Sequence, residues 1–278
     1  MPTQILVPLH TYPDGSSANI AAHVSAVARH LGADVDGLVL NATFPPVSSL
    51  LGNMLINVDG MVHEVTARCH ARGAALELAM QAALEPVGIA FHCTQLDCVM
   101  GTLGSAAETY ARYCDLIVTG LSGNDVSMEA TAETVVFSSG RPTLLVPQDA
   151  APSPFQHAMI AWDGSRVATR AVADARDFLR LAKTVTIAVV TDEKTLPEEN
   201  PGLKLSDYLA HHGITAPVAL VQARQRPIAR ALQDHALEIG ADFMVMGAFG
   251  HSRMRDFVMG GATAGILRDL KLPVLLSH

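Results

Sequence analysis

The sequence predicts an α/β protein built from two tandem copies of one doubly wound domain. Three observations carry the prediction. Short continuous apolar runs alternate with Ala-rich helical patterns, and the same order of elements occurs twice along the 278 residues. Apolar residues make up 49% of the chain and charged residues 17%, which is ample core material. Continuous apolar strands separated by helices specify a parallel sheet covered on both faces.

The opening elements of the two copies correspond one to one. In the first copy, an apolar strand at 5–9 precedes a helix at 16–31, with Ser16 as the expected N-cap, and a strand at 35–40. In the second copy, a strand at 158–162 precedes a helix at 165–181 and a strand at 185–190. The closing segments match too, since 114–120 parallels 241–247 and 141–146 parallels 272–276.

The polar, Pro-bearing stretch 148–154 has the composition of a linker. We therefore expect a first domain at 1–147, a linker at 148–155 and a second domain at 156–278, each domain with its own core. The first copy is the longer one. Its extra residues are placed around 44–65, as a long loop leading into a helix at 62–84.

Charge and hydropathy narrow the range of partners. The net charge is −8, and no run of Lys or Arg is present, so nucleic acid is not an expected partner. The N-terminus has no signal-peptide pattern, and no segment reaches the ~20 apolar residues that a membrane span needs. We expect a cytoplasmic protein without a membrane partner, in which the four cysteines are free thiols.

A glycine-rich loop follows the fourth strand of the second copy. Gly247, Gly250 and Gly260 are separated by two and then nine residues, and Gly261-Ala262-Thr263 leads into a helix. Glycines let a backbone approach a ligand closely, and amides at a helix start can bind an anion. Ordinary turn and cap glycines explain the same composition equally well.

This spacing resembles the nucleotide motif of the universal stress protein family, in its tandem-domain form. A second family mark is Asp163 just after the first strand, in the setting Trp162-Asp163-Gly164-Ser165. The resemblance covers essentially the whole chain. It is specific in the second copy and loose in the first. It implies two Rossmann-like (adenine nucleotide alpha hydrolase-like) domains, each a mostly parallel five-stranded sheet sandwiched by helices. It also implies a regulatory role in the stress response.

The resemblance further implies an adenine nucleotide in the second domain. ATP is the expected ligand, with ADP and AMP as alternatives and Mg²⁺ as an accompanying ion. Ala161, Asp163 and Val190 match the family positions that face adenine and ribose. The four glycines match the positions that face ribose and phosphate: Gly247, Gly250, Gly260 and Gly261. The candidate binding residues are Ala161, Trp162, Asp163, Val190, Gly247, Gly250, His251, Arg253, Gly260, Gly261, Ala262 and Thr263.

The sequence departs from the family pattern in both copies. Gly261 stands where the family has Ser or Thr, and Thr263 is a candidate replacement for that hydroxyl. The first copy has His10 in place of the Asp, and Glu129 falls where Gly260 stands. A carboxylate there would repel phosphate, so we expect the first copy to have lost its nucleotide site.

Several residues keep two interpretations. His251, Arg253 and Arg255 either contact phosphate or serve as solvated or interface residues. Trp162 either covers the adenine or fills the core. A zinc site from Cys69, His70, His92, Cys93 and Cys98 competes with buried apolar thiols. The thiol interpretation is favoured, because Cys93 and Cys98 on one strand would point to opposite faces.

No catalytic constellation is visible in the sequence. Neither a Gly-x-Ser-x-Gly nor a His-Glu-x-x-His pattern occurs, so slow ATP hydrolysis is the most that we expect. The competing hypothesis is a nucleotide-free interaction protein that uses the apolar insertion at 44–65. A protein partner of unknown identity is expected in either case. The resemblance suggests a homodimer or an intramolecular domain pair joined through edge strands at 143–146 and 274–276.

Overall fold

The computed structural model describes residues 3–45, 58–123, 125–193, 200–250 and 261–278. These residues contain ten strands that form a single sheet. The strands are β1 (Gln4–His10), β2 (Asp34–Thr43), β3 (Phe91–Val99), β4 (Leu116–Leu121), β5 (Thr143–Pro147), β6 (His157–Ala161), β7 (Thr184–Val190), β8 (Val218–Val221), β9 (Phe243–Gly247) and β10 (Val274–Ser277).

Helices cover both faces of this sheet. They are α1 (Ile20–Leu31), α2 (Val58–Leu84), α3 (Leu103–Ala111), α4 (Val126–Ser138), α5 (Arg166–Asp174), α6 (Arg176–Leu181), α7 (Leu203–His211), α8 (Ile228–Glu238) and α9 (Ala262–Arg268), with a 3-10 turn at Glu85–Val87. Buried residues of α1, α2, α5, α6 and α7 share one core cluster. Those of α3, α4, α8 and α9 belong to the clusters on the opposite face.

The strand order is β3-β2-β1-β4-β5-β10-β9-β6-β7-β8. Within each half all pairings are parallel, and the two halves have the same internal order. The predicted fold class of two tandem, doubly wound, five-stranded sheets is therefore confirmed. The carboxyl ends of β6 and β9 are adjacent at the point where the order reverses, which is where such sheets bind ligands.

The two halves join through β5 and β10. These strands pair antiparallel, with Leu144 opposite Leu275, so the sheet continues from one half to the other. This is the edge pairing that the family resemblance implied. Residues 143–147 and 274–277 are almost entirely buried, because the strands are covered from both halves.

The expectation of separate cores is wrong. One cluster packs Phe155 at the end of the linker, and Phe178 and Phe243 of the second half, with residues of α1 and β1. The ring of His30 from α1 lies 5.5 Å from that of Phe155 and 5.6 Å from that of Phe178. On the other face Met128 of α4 shares a cluster with Ile266 of α9. The two halves meet at the β5–β10 pairing, which we call the seam. Because the sheet is continuous there, helices beside the seam pack across it. The domain boundaries at 147 and 156 stay a prediction.

Helix starts differ from prediction in the first half and agree in the second. Ser165 caps α5, since its Oγ accepts the N–H of Ala168 at 3.2 Å. In the first half the helix begins at Ile20, and Ser16 is not its cap. The Ser16 Oγ instead accepts the N–H of His10. Asn19, at the cap position, directs its amide to the carbonyls of Gln148 and Ala150, both at 2.8 Å, and so anchors the linker.

Two helices have different lengths from those predicted. The predicted helix 165–181 is divided at Ala175 into α5 and α6, although Ala175 still donates to Ala171 and accepts from Leu179. The helix α2 begins at Val58, before the predicted start at 62, and has 27 residues against nine in α7. Residues 46–57 of the insertion lie outside the described residues. In the described part of the chain no helix is both long and apolar enough to cross a membrane.

The shared core predicts how an isolated second half will behave. A fragment of residues 154–278 exposes the β10 edge and the apolar surfaces that α1 and α4 cover in the full chain. We expect it to self-associate through β10 or to aggregate. Size-exclusion chromatography with light scattering will show this, with the full chain as the control. A monomeric fragment that unfolds at the same temperature as the full chain would contradict the prediction.

Candidate functional site

A cleft of about 350 Å³ lies at the carboxyl ends of β6, β7 and β9. Its apolar lining comes from strand residues such as Ala161, Ala188 and Met246, and from Ile228 and Leu232 of α8. All candidate residues that the structure describes line this cleft: Ala161, Trp162, Asp163, Val190, Gly247, Gly250, Gly261, Ala262 and Thr263. His251, Arg253 and Gly260, like Arg255, lie outside the described residues.

The loop after β6 brings Asp163 to the mouth of the cleft. Gly164 turns the chain with a φ of 72°, and Asp163 Oδ1 accepts the N–H of Ser165 at 3.0 Å. This Asx-type turn fixes the carboxylate at the start of α5 and is typical of Asp before a helix. The half-buried Asp163 therefore lies beside the first turn of a nine-residue helix.

Close packing requires the glycine at position 247. A Cβ there would lie 2.5 Å from the backbone nitrogen of Ala168 and 2.6 Å from the carbonyl carbon of Val167. The end of β9 thus touches the first turn of α5 directly. At Gly250 a Cβ would lie 3.2 Å from Val167 Cγ2, which is tight but not prohibitive. Gly247 is consequently needed for the fold whether or not a ligand binds.

Thr263 is already engaged within the protein. Its buried Oγ1 accepts the N–H of Phe249 at 3.2 Å, across the segment between β9 and α9. Phe249 has a φ of 51°, in the left-handed region that is uncommon outside glycine. Gly261 occupies the N-cap of α9 without a side-chain cap. The Thr263 hydroxyl, which was expected to replace a missing phosphate ligand, therefore also fixes the backbone of Phe249 beside the cleft. As a hydroxyl it also has one proton to donate.

Trp162 combines the two interpretations that the sequence left open. Its backbone N–H donates to the carbonyl of Ala188 at 2.9 Å, and this bond continues the β6–β7 pairing by one residue. The half-buried side chain packs against the core cluster of one face and also lines the cleft. Trp162 is the only tryptophan in the chain, so its fluorescence reports on the cleft.

The equivalent place in the first half is filled by protein side chains. His10, which replaces Asp163, is buried at the end of β1. The Gln148 side chain lies against Gly120, where an added Cβ would be 3.1 Å from its Oε1. That same oxygen accepts the N–H of Ser17, just before α1. An amide near the start of α1 is thus satisfied from within the chain.

Burial lowers the pKa of His10 from 6.5 to about 4, and the carboxylate of Asp125 opposes this shift only in part. Neither ring nitrogen of His10 has a hydrogen-bond partner among the described residues, nor does Asp125 Oδ2. The other oxygen of Asp125 accepts the N–H groups of Ser127 and Met128 and so caps α4. His10 is therefore a neutral, desolvated imidazole at neutral pH.

Three of the cysteines, Cys69, Cys98 and Cys114, are buried, and Cys93 is half-buried. All four are free. Cys93 packs towards one face of the sheet and Cys98 towards the other, which confirms their opposite orientation on β3. Burial, with a smaller contribution from Glu77, raises the pKa of Cys93 to about 11. Among the described residues no three His, Cys, Asp or Glu side chains are grouped to hold a metal ion.

Sequence reasoning missed several residues of the cleft and of the loops beside it. Phe249 lies between Gly247 and Gly250 in the glycine-rich loop, and only its backbone geometry distinguishes it. Ile228 and Leu232 lie on the inward face of α8, whose apolar spacing is a recognisable signal. Asp192, just beyond β7, accepts the N–H groups of Ala223 at 2.7 Å and Arg224 at 2.8 Å. These bonds lower the pKa of Asp192 and join the loops that follow β7 and β8.

Comparison with known families matches the half of the chain that holds the cleft. Residues 154–278 match the model of the universal stress protein family. This half is a universal stress protein domain. The universal stress protein Slr1230 of Synechocystis sp. (strain ATCC 27184 / PCC 6803 / Kazusa) is 29% identical over 173 residues. That alignment covers 58% of this chain and about 57% of the length of the relative.

Solved structures extend the likeness in fold to both halves. A universal stress protein from Archaeoglobus fulgidus DSM 4304 superposes with a TM-score of 0.74 at 17% identity, covering 99% of this chain and 96% of that one. A Pseudomonas aeruginosa UCBPP-PA14 protein assigned to the same family gives a TM-score of 0.54 at 14% identity, covering 99% and 93%. At these identities the structures establish the universal stress protein fold alone.

The buried His10 predicts a pH dependence of stability. The unfolded chain takes up a proton at this residue as the pH falls below 6.5, whereas the folded chain does so only near pH 4. The folded state therefore loses stability as the pH falls from 6.5 to 4, by about 3 kcal/mol from this residue alone. His10→Gln should flatten the curve of unfolding free energy against pH in this window. Urea titrations across pH 4 to 7 measure this.

A matched control is His92→Gln on the exposed surface of β3, which should leave the pH curve unchanged. The comparison isolates one histidine, because His23 and His30 also have pKa values lowered by burial and remain in every variant. A His10→Gln curve as steep as that of the parent would show that His10 does not titrate in this way.

Proposed function

We propose that the second half of this chain binds ATP or another adenine nucleotide in the cleft at the carboxyl ends of β6, β7 and β9. The proposal rests on one observation. Residues from four separate segments of the chain, chosen by their resemblance to the family motif, line one cleft at the switch point of the sheet. The cleft volume, about 350 Å³, lies in the range of small-molecule sites.

The apolar part of the cleft suits the base. Ala161, Ala188 and Met246 offer small or flexible apolar surfaces at the strand ends, and Ile228 and Leu232 of α8 lie beside them. Val190 at the end of β7 borders the same space. Asp163, held by its turn, offers a carboxylate as acceptor for the ribose hydroxyls. The adenosine portion is thereby assigned to the β6–β7 side.

The phosphates are assigned to the glycine side. Gly250, Gly261 and Ala262 present little side-chain bulk to the cleft, so a charged group can approach the backbone there. The Ser165 side chain and the O–H of Thr263 are further hydrogen-bonding groups on the lining. Mg²⁺ remains an expectation that accompanies the phosphates.

The proposed role is regulatory. Membership of the universal stress protein family and the absence of a catalytic signature in the sequence favour a cytoplasmic nucleotide sensor, with ATP hydrolysis at most slow. Binding in the cleft would alter the surface that the second half offers to a protein partner. The tandem halves form the domain pair within one chain.

A pair of variants at Ala262 tests the site by charge. Ala262→Glu places a carboxylate on the cleft lining and should weaken ATP binding about ten-fold or more, ~1.4 kcal/mol. Ala262→Gln has nearly the same shape without the charge and should bind ATP much more tightly than the Glu variant. Titrations followed by Trp162 fluorescence measure both. Adenosine, which lacks phosphates, should distinguish the two variants far less.

The outcomes separate the two functional hypotheses. If the parent chain shows no response to ATP, ADP or AMP, the nucleotide-free interaction protein becomes the better account. If the parent binds ATP and the Glu and Gln variants bind it equally, the phosphates lie away from Ala262.

Stoichiometry tests the asymmetry of the two halves. His10 and Gln148 occupy the first half where the second half has its cleft. Isothermal titration calorimetry with ATP should therefore give one site per chain. Two equivalent sites per chain would refute the loss of the first site.

A further inference from the structure

Three aromatic rings meet at the seam between the two halves. Phe137 near the end of α4 lies 5.8 Å from Phe249, ring centre to ring centre, with the planes at 79°. The same Phe137 ring lies 4.7 Å from that of His278. His278 Nδ1 is 3.0 Å from the carbonyl of Ala248, the residue before Phe249. A residue of the first half thus contacts the wall of the cleft in the second.

Phe249 needs such support. Its φ of 51° is unfavourable for a residue with a large side chain, so the surroundings must hold it in place. The hydrogen bond from its N–H to Thr263 fixes the backbone, and the Phe137 and His278 rings fix the side chain. Phe249, Gly250 and Thr263 all line the cleft. The position of this wall therefore depends on a contact made across the seam.

The pseudo-symmetry of the two halves accounts for the contact. The β5–β10 pairing brings α4 and α9 together. On one side the end of α4 reaches Phe249 in the loop after β9. On the other side the end of α9 reaches the loop after β4, where a Cβ on Gly123 would lie 3.5 Å from the carbonyl oxygen of Arg268. Arg268 also faces Glu129 of α4 at 3.9 Å.

We infer that Phe137 is a positioning residue for the cleft of the second half and acts on it through Phe249. The first half thus supplies part of the support for the site of the second half. The inference rests on the proposed function where it concerns the ligand, an adenine nucleotide. The link between Phe137 and the cleft itself does not require a ligand.

The test uses substitutions in the full chain. Phe137→Leu keeps an apolar side chain but removes the flat ring edge, and Phe137→Ala removes the contact. Phe137→Tyr keeps the ring and serves as the conservative rescue. Glu129→Gln is the matched control, because it breaks the neighbouring contact to Arg268 across the same seam and leaves Phe249 untouched.

Two readouts are taken on each variant. In nucleotide-free protein, acrylamide quenching of Trp162 should increase for the Leu and Ala variants, since a displaced wall opens the cleft to solvent. ATP affinity should fall about three- to ten-fold in the same variants, as expected for the loss of one aromatic pair. The Tyr and Gln variants should stay close to the parent in both readouts. Circular dichroism checks that every variant remains folded.

The readouts distinguish failure of this inference from failure of the proposed function. If the Leu and Ala variants lower the unfolding temperature but leave Trp162 quenching unchanged, Phe137 is merely structural and the inference is overturned. If the Glu129→Gln control shifts quenching as much as Phe137→Leu, the effect belongs to the seam in general, and the inference also fails. If the parent binds no nucleotide, the proposed function fails, and quenching alone decides the link between Phe137 and the cleft.

Discussion

The antiparallel pairing of β5 with β10 is the constraint on which the rest of the molecule depends. Each half on its own would end in an open strand edge, with backbone donors and acceptors exposed to other chains. Pairing the two edges satisfies those groups and makes one sheet of ten strands. Because neighbouring strands lie about 4.8 Å apart, helices flanking the seam are brought close enough to share cores. The mixed clusters on both faces follow from this geometry.

The seam also gives the first half a structural role beside the cleft of the second half. Its α1 contributes His30 to the aromatic cluster around Phe155 and Phe178, and its α4 contributes Phe137 at the edge of the neighbouring cleft. His10 is buried at the end of β1 and Gln148 lies against Gly120, whereas the surfaces that face the other half take part in the shared cores.

Much of this architecture could be predicted from the sequence, because its signals are local. Strand positions follow from continuous apolar runs, and the duplication follows from their repeated order. The start of α5 at Ser165 was also predictable from the sequence, whereas the start of α1 was not. There Ser16 and Asn19 are used by partners distant in sequence, the strand end at His10 and the carbonyls of Gln148 and Ala150. The shared core was missed for the same reason, since apolar patterning shows that a face is buried but not by which half.

Of the cleft, the strand-end and glycine positions were predictable, whereas the role of Phe249 depends on a backbone torsion and a ring from another segment.

The covalent joining of the two halves has a consequence for evolution. In a dimer of identical subunits every substitution appears twice, so a change that closes one site closes both. In this chain the two halves are separate stretches of one gene product and can diverge. His10 can therefore arise in one half while Asp163 persists in the other, and the fold keeps its two-fold arrangement. Such a fusion turns a pair of equal sites into one site and one dedicated support.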